Sequence, residues 1–211
     1  MNIFLSTMFL FQYINLINKI MKKFFLSLLV LSAVTLAGFA QQSWTNDPAH
    51  SRLGFVVKHM TISEVSGRFT DFSIKVKSAK TDLSDLKIDV TAKIASINTD
   101  VEARDNHLKS ADFFDAEKYP TLTFVSTSHK KITNNKFKLM GNLTMHGITK
   151  FVTLDVLYFG EVTNPMNQKK AYGFKITGVV KRSDYNIGPK FGNAMISDNI
   201  KIVADAEFGK D

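Results

Sequence analysis

Eight stretches in which apolar and polar residues alternate one by one constrain this chain more than any other feature of it. Leu53, Phe55, Val57 and His59 share one parity, and Arg52, Val56 and Lys58 the other. The same spacing recurs in Phe72, Ile74, Val76; in Ile88, Val90, Ala92, Ile94; and in Leu122, Phe124, Ser126. It continues in Phe137, Leu139, Gly141, Leu143, Met145; in Val152, Leu154, Val156, Tyr158; in Phe174, Ile176, Gly178, Val180; and in Ile200, Ile202, Ala204, Ala206, Phe208. A period of two belongs to strands half buried on one face, not to helices. Asn134-Asn135, His146-Gly147 and Asn164-Pro165-Met166-Asn167-Gln168 are turn signals between neighbours, so the order is antiparallel and up-and-down. The expectation is an all-β fold, an eight-stranded antiparallel β-barrel. Such a barrel has an interior just wide enough for side chains or one small ligand.

One connection is too long for a hairpin. Between strands 3 and 4, Thr99 to Phe114 reads as a short helical insert. Thr99 and Glu102 have capping-box spacing, and Lys109 sits where a cation suits the helix dipole. Ser110 starts a second turn bearing Phe113 and Phe114, and Tyr119-Pro120 stops it. An insert over a barrel mouth is where a lid belongs, which makes Leu108, Phe113 and Phe114 the lid candidates.

Residues 1–40 carry no acidic side chain. Lys22 and Lys23 precede the apolar run Phe24 to Phe39, and Gly38-Phe39-Ala40 puts small residues ahead of Gln41, the pattern of a cleaved secretory signal. Met21 is the expected start codon, since Asn2, Gln12, Asn15 and Asn18 suit the preceding segment poorly to hydrocarbon. Residues 41–211 then form one barrel domain, exported to the periplasm or secreted, with no stable membrane span once the signal is removed. With no cysteine in the chain, neither a lipid-anchored lipoprotein nor a disulfide-stapled scaffold is expected. The chain has 27 basic and 19 acidic side chains; setting aside Lys19, Lys22 and Lys23 leaves a mild excess of five positive charges. Lysines such as Lys75, Lys77, Lys80, Lys87 and Lys93 alternate with apolar residues, as on a solvated outer face, and no nucleic-acid partner is expected.

The apolar parity carries scarcely any charge, and where it points inward the lumen is greasy; which face points inward is left open by the sequence. Two readings stay open: a barrel filled by its own side chains that acts through its outer surface in protein–protein interaction, or a lumen holding a prenyl or acyl chain. A bound chain gains about 0.8 kcal/mol per CH₂ removed from water. On the second reading the tail lies against Phe55, Val57, Phe72, Ile74, Ile88, Val90, Phe124, Phe137, Leu139, Leu143, Phe174 and Ile176. Arg104-Asp105 and Arg182-Ser183-Asp184 each place a guanidinium beside a carboxylate; the favoured reading is that they brace connections onto the barrel. The sharper alternative has Arg104, His107 or Arg182 facing a phosphate or carboxylate head group. The five histidines, at 50, 59, 107, 129 and 146, show no compact ligand spacing, so no metal is expected. Ser51 with His50 or His59 and Asp47 lacks a nucleophile elbow, so no enzyme activity and no cofactor are expected. Association of two copies stays open.

These residues together resemble the YceI-like family of periplasmic lipid- and polyisoprenoid-binding proteins. The landmarks run in order: Asp47-Pro48, His50-Ser51, Phe55 and His59; Gly67 and Phe69; Ser96-Ile97-Asn98-Thr99; Arg104-Asp105 with His107-Leu108; Phe113-Phe114; Tyr119-Pro120; Gly141 with Leu143-Thr144; His146-Gly147; and Arg182-Ser183-Asp184-Tyr185. The resemblance implies a lipocalin-like barrel and an isoprenoid or acyl ligand, such as a quinone, a polyprenyl phosphate or a fatty acid derivative. It implies no catalysis. Phe151 stands where the family often has proline, and Asn186 where it often has glycine; Asn tolerates positive φ, so that turn is expected to survive.

Overall fold

Among the described residues the alternation becomes eleven strands, all antiparallel neighbours in one sheet. The computed structural model describes residues 16–23, 42–80 and 85–209. In chain order these hold β1 (Gln42–Thr45), β2 (Arg52–His59), β3 (Ser63–Phe69), β4 (Phe72–Ser78), β5 (Lys87–Lys93) and β6 (Ile97–Asn98). After helix α1 (Glu102–Lys109) come β7 (Thr121–Lys131), β8 (Lys136–Met145), β9 (Ile148–Thr163), β10 (Lys170–Lys181) and β11 (Asn199–Gly209). The sheet order is β1-β4-β5-β7-β8-β9-β10-β11-β2-β3-β6. The sheet curls on itself, and a bridge between Asn46 and Phe208 brings its β1 edge back to β11.

The count of eight is therefore corrected to eleven. The eight alternating stretches are β2, β4, β5 and β7 to β11. The three additional strands are short or polar: β1 is Gln-Ser-Trp-Thr, β6 has two residues, and β3 offers only Val65 and Phe69 as large apolar residues. Their hydrogen bonds come from neighbours, which a pattern of apolar residues does not record.

Residues 16–23 are helical and include Met21; Gln41–Asp211 forms a separate compact unit. The apolar run Phe24 to Phe39 and the expected cut ahead of Gln41 lie outside the described residues. Among the described residues no helix is long and apolar enough to cross a membrane.

Turn chemistry fits the sequence. His146 (φ 52°) and Gly147 (φ 73°) form a two-residue turn whose two left-handed residues match the twist of β8 and β9. Asn186 adopts φ 54°, closing the 3-10 turn Arg182–Tyr185. The helical insert differs in its start. Val101 is the N-cap of α1 and makes no side-chain cap, so the expected Thr99–Glu102 box does not form. Asp105 reaches back instead: its Oδ1 accepts from the Thr99 amide (2.8 Å) and from the Thr99 hydroxyl (2.5 Å), both buried.

Buried apolar residues gather in three groups around the inner face. One, below α1, joins Phe113, Phe124, Leu143, Met145, Tyr185 and Ile187. A second joins Trp44, Ile74, Val76, Ala206 and Phe208, and a third Phe69, Ala92, Ile94 and Ile97. Two inward glycines lie beneath aromatic rings. A Cβ at Gly141 would fall 2.6 Å from Phe124 Cζ, and one at Gly67 would fall 2.6 Å from Phe55 Cε1. The rings lie across bare backbone that any side chain would lift them from.

Candidate functional site: a hollow barrel with two unlike ends

The inner face encloses a cavity of about 950 Å³ with an overwhelmingly apolar lining. That is the upper part of the range of ligand pockets. Ile88, Val90, Val152, Val156, Ile176, Ile200 and Ile202 point inward yet stay only half buried, because they face this hollow rather than one another. Of the tail residues read from sequence, Phe55, Val57, Ile74, Ile88, Val90, Phe124, Phe137, Leu139, Leu143, Phe174 and Ile176 line it. Phe72 does not; at the start of β4, opposite Ala92, it packs between the second and third buried groups.

The cavity has a helix end, near α1, the β8–β9 turn and the stretch from Arg182 to Asp198, and a turn end, where β7 turns into β8 and β9 into β10. At the helix end Leu108, Phe113 and Phe114 all line the wall. Phe113 is buried, stacked on Phe191 (centroids 4.8 Å apart) with the His107 ring edge-on at 5.0 Å. It is a fixed part of the wall.

Arg104, His107 and Arg182 also reach the cavity here, but each is engaged by protein. Arg182 is only 6% exposed. Its Nη1 donates to the carbonyls of Ile187 (3.1 Å) and Gly188 (2.7 Å). Its Nη2 serves the carbonyls of Phe191 (2.5 Å) and Ile196 (3.2 Å) and Asn193 Oδ1 (3.3 Å). Only the Nε–H lacks a partner. One guanidinium thus ties down a whole connection whose carbonyls no strand satisfies. Arg104 donates through Nε to Thr99 Oγ1 (2.8 Å) and through Nη2 to the Thr99 carbonyl (2.8 Å). His107 Nε2 lies 3.4 Å from Asp112, which also accepts from Lys190 at 2.7 Å. Those two neighbours, Lys190 foremost, hold the Asp112 carboxyl below its usual range.

The turn end carries polar lining: His129, Lys131, Asn134, Tyr158, Glu161 and Tyr172. Tyr158 and Tyr172 keep the inward parity of their strands, and two β-bulges bring in His129, Lys131 and Glu161, which sequence parity did not assign. In β7, Ser126 pairs with Gly141 and Ser128 with Met140, so Thr127 is extra and every later residue changes face. His129 then stands opposite Leu139 and Lys131 opposite Phe137, both inward. In β9, Gly160 pairs with Gly173 but Tyr158 with Phe174, leaving Phe159 extra and turning Glu161 inward beside Tyr172. A sequence signal existed. From Phe124 to Lys131 is seven residues and from Phe137 to Leu143 six, so that hairpin closes in register only with a bulge.

Glu161 is neutralised: Lys170 Nζ lies 2.6 Å from its Oε1, and Tyr172 stands opposite it across the β9–β10 pair. Lys170 first, then Tyr172, holds its carboxyl below the usual range. Burial pushes the Tyr158 and Tyr172 phenols up, which keeps both protonated as donors. No hydrogen bond or ion pair among the described residues engages the side chain of His129 or Lys131.

Outside the cavity, Asp47, His50 and Glu207 bring three potential metal-ligand atoms within 4.8 Å of one another. Asp47 is already occupied: Oδ2 lies 3.0 Å from His50 Nδ1 and Oδ1 accepts the Ala49 amide. The Ser51 hydroxyl bonds the Glu207 backbone, not an imidazole.

Comparison with known proteins decides what kind of barrel this is. The family model described as YceI-like domain matches residues 44–208. The chain belongs to the YceI-like family. It is 40% identical over 170 residues to the UPF0312 protein SA2479 of Staphylococcus aureus, covering 79% of this chain and 96% of that protein. Among solved structures it resembles the Campylobacter jejuni YCEI protein, with a TM-score of 0.67 and 37% identity over 73% of this chain and 90% of that one. It also resembles Burkholderia cenocepacia BcnA, with a TM-score of 0.68 and 25% identity over 77% and 98%. A polyisoprenoid binding domain from Saccharophagus degradans shares the fold, with a TM-score of 0.61 over 81% and 99%, at 15% identity.

Proposed function

We propose that this protein holds a long-chain amphipathic lipid in its barrel and carries it through an aqueous compartment of the cell envelope. The observation that carries the reading is the hollow: about 950 Å³ of apolar space faced by aliphatic side chains that the fold leaves half buried. A tail laid along them removes that surface, and its own, from water at about 0.8 kcal/mol per CH₂. A barrel filled by its own side chains would have buried those residues against one another. The ligand class is an isoprenoid quinone, a polyprenyl phosphate or a fatty acid derivative, in keeping with the polyisoprenoid binding domain of Saccharophagus degradans that shares the fold. Binding rather than catalysis fits the committed hydrogen bonds around Ser51 and His50. The acid-free, apolar N-terminal segment supports export with cleavage ahead of Gln41 and a periplasmic or secreted location.

Native mass spectrometry of the protein purified from its own host without detergent tests this, followed by organic extraction and calorimetry of the emptied protein. The expected result is a released prenyl or acyl lipid and an emptied barrel that melts lower. Restoring ligand at a hundred times Kd returns about 2.7 kcal/mol. An unliganded mass, with no thermal response to quinones, polyprenyl phosphates or fatty acids, overturns the reading.

A further inference from the structure

We propose that the turn end of the cavity is an anion seat, in which Lys131 and His129, with the Tyr158 hydroxyl, receive the negatively charged head of the amphiphile whose tail fills the barrel. The assignment rests on the cavity reading above and names the head-group class that reading leaves open.

Three observations carry it. The first is commitment. At the helix end Arg182 is spent on four carbonyls and an amide oxygen, Arg104 on Thr99 and His107 on Asp112, which leaves His59 as the inward side chain there without a protein partner among the described residues and no free inward lysine or arginine. At the turn end Lys131 and His129 have no such partner among the described residues, while the one acid there, Glu161, is answered by Lys170 at 2.6 Å. The uncommitted charge facing the lumen at this end is therefore positive.

The second is placement. Lys131 pairs with Phe137 and His129 with Leu139, whose side chains line the cavity, so the two cationic or hydrogen-bonding groups share the inner face of β7. Lys58, which borders the opposite end, sits on the outward parity of β2, between inward Val57 and His59. The third is construction. Without the bulge at Thr127, Ser128 and Lys130 would face inward and both His129 and Lys131 would point to solvent. Bulges that re-aim side chains cluster at functional sites. A bidentate acceptor, whether carboxylate or phosphate, suits an ammonium and an imidazole on the inner face of β7, with a phenol hydroxyl on β9 lining the same end of the cavity.

Trp44 is the chain's single tryptophan and lines the cavity, so its fluorescence reports loading. The probes are palmitate and geranylgeranyl phosphate, each paired with the neutral alcohol of the same tail, hexadecanol and geranylgeraniol. Lys131→Gln is expected to weaken the anions about tenfold while the alcohols stay within about twofold. Lys58→Gln is expected to leave all four within about twofold. Whether palmitate or the phosphate shows the larger loss tells a carboxylate from a phosphate source, and either supports the seat. Weakening that follows Lys58→Gln instead, or an equal loss for alcohols and anions in Lys131→Gln, overturns it. If no probe changes the Trp44 signal of the unmodified protein, the cavity reading itself falls and the seat with it. Lys131 is exposed, so the variant's circular dichroism is expected to match the parent's.

Discussion

Both ends of the cavity carry cationic and imidazole side chains, and they differ in what those residues have left to give. At the helix end an arginine, a second arginine and a histidine face the lumen with their donors already placed on Thr99, Asp112 and the carbonyls of the Arg182–Asp198 stretch. At the turn end a lysine and a histidine face it with none placed, beside tyrosines kept protonated by burial. The first arrangement closes a barrel and the second leaves it able to answer a ligand. Side-chain identity does not separate a brace from a binding group; the balance of satisfied donors and acceptors does.

The contrast breaks if the helix end is dispensable. Arg182→Ala leaves the carbonyls of Ile187, Phe191 and Ile196 without a donor and Gly188 with the Phe191 amide alone, and urea unfolding should lose roughly 3 kcal/mol or more. Arg182→Lys should recover less than half, because an ammonium does not reproduce the planar fork. Next in size is Asp105→Ala, which strips acceptors from the buried Thr99 amide and hydroxyl and should cost about 1–3 kcal/mol in the same assay. A loss below about half a kilocalorie for either would place the helix end in the same class as the turn end.

The smallest effect sharpens the turn end. The Glu161 carboxyl titrates below its ordinary 4.5 in the folded protein, held there by Lys170 first. A depressed acid contributes stability that is present above its unfolded value and lost as pH falls through the folded one. Thermal midpoints of the protein and of Glu161→Gln should therefore differ at neutral pH and converge as pH drops below 4.5. The gap should shrink with added salt, since this pair is exposed. A gap that persists at low pH would mean the residue matters through shape and not charge.

Much of this was legible in the sequence. Period two located eight strands and their apolar faces, though not which face turns inward; the structure turns the apolar faces in, and eleven of the twelve proposed tail residues line the cavity. His146-Gly147 and Asn186 took the backbone their chemistry favours. What parity could not carry was anything that interrupts parity: Thr127 and Phe159 each add one residue, and beyond them inside and outside exchange. Hence His129, Lys131 and Glu161 went unassigned. The brace at Arg182 was the favoured reading, but its acceptors were hidden for a different reason. Its acceptors are backbone carbonyls 5 to 14 residues downstream, and a carbonyl has no letter in a sequence.

The bare backbone under Phe55 and Phe124 has a consequence for the bore of the barrel. Because Gly67 and Gly141 let those rings lie flat against the wall, the calibre of the channel is set from behind its lining. A methyl group at Gly67 would tip the Phe55 ring toward the axis and narrow the passage without changing the chemistry of the lining, whereas one at Gly141 would also press on the Val125 carbonyl of the neighbouring strand. Gauge and chemistry are thus separate controls in this architecture. A lineage, or an engineer, could refit the barrel for a slimmer or a bulkier chain while leaving the grip on its head untouched.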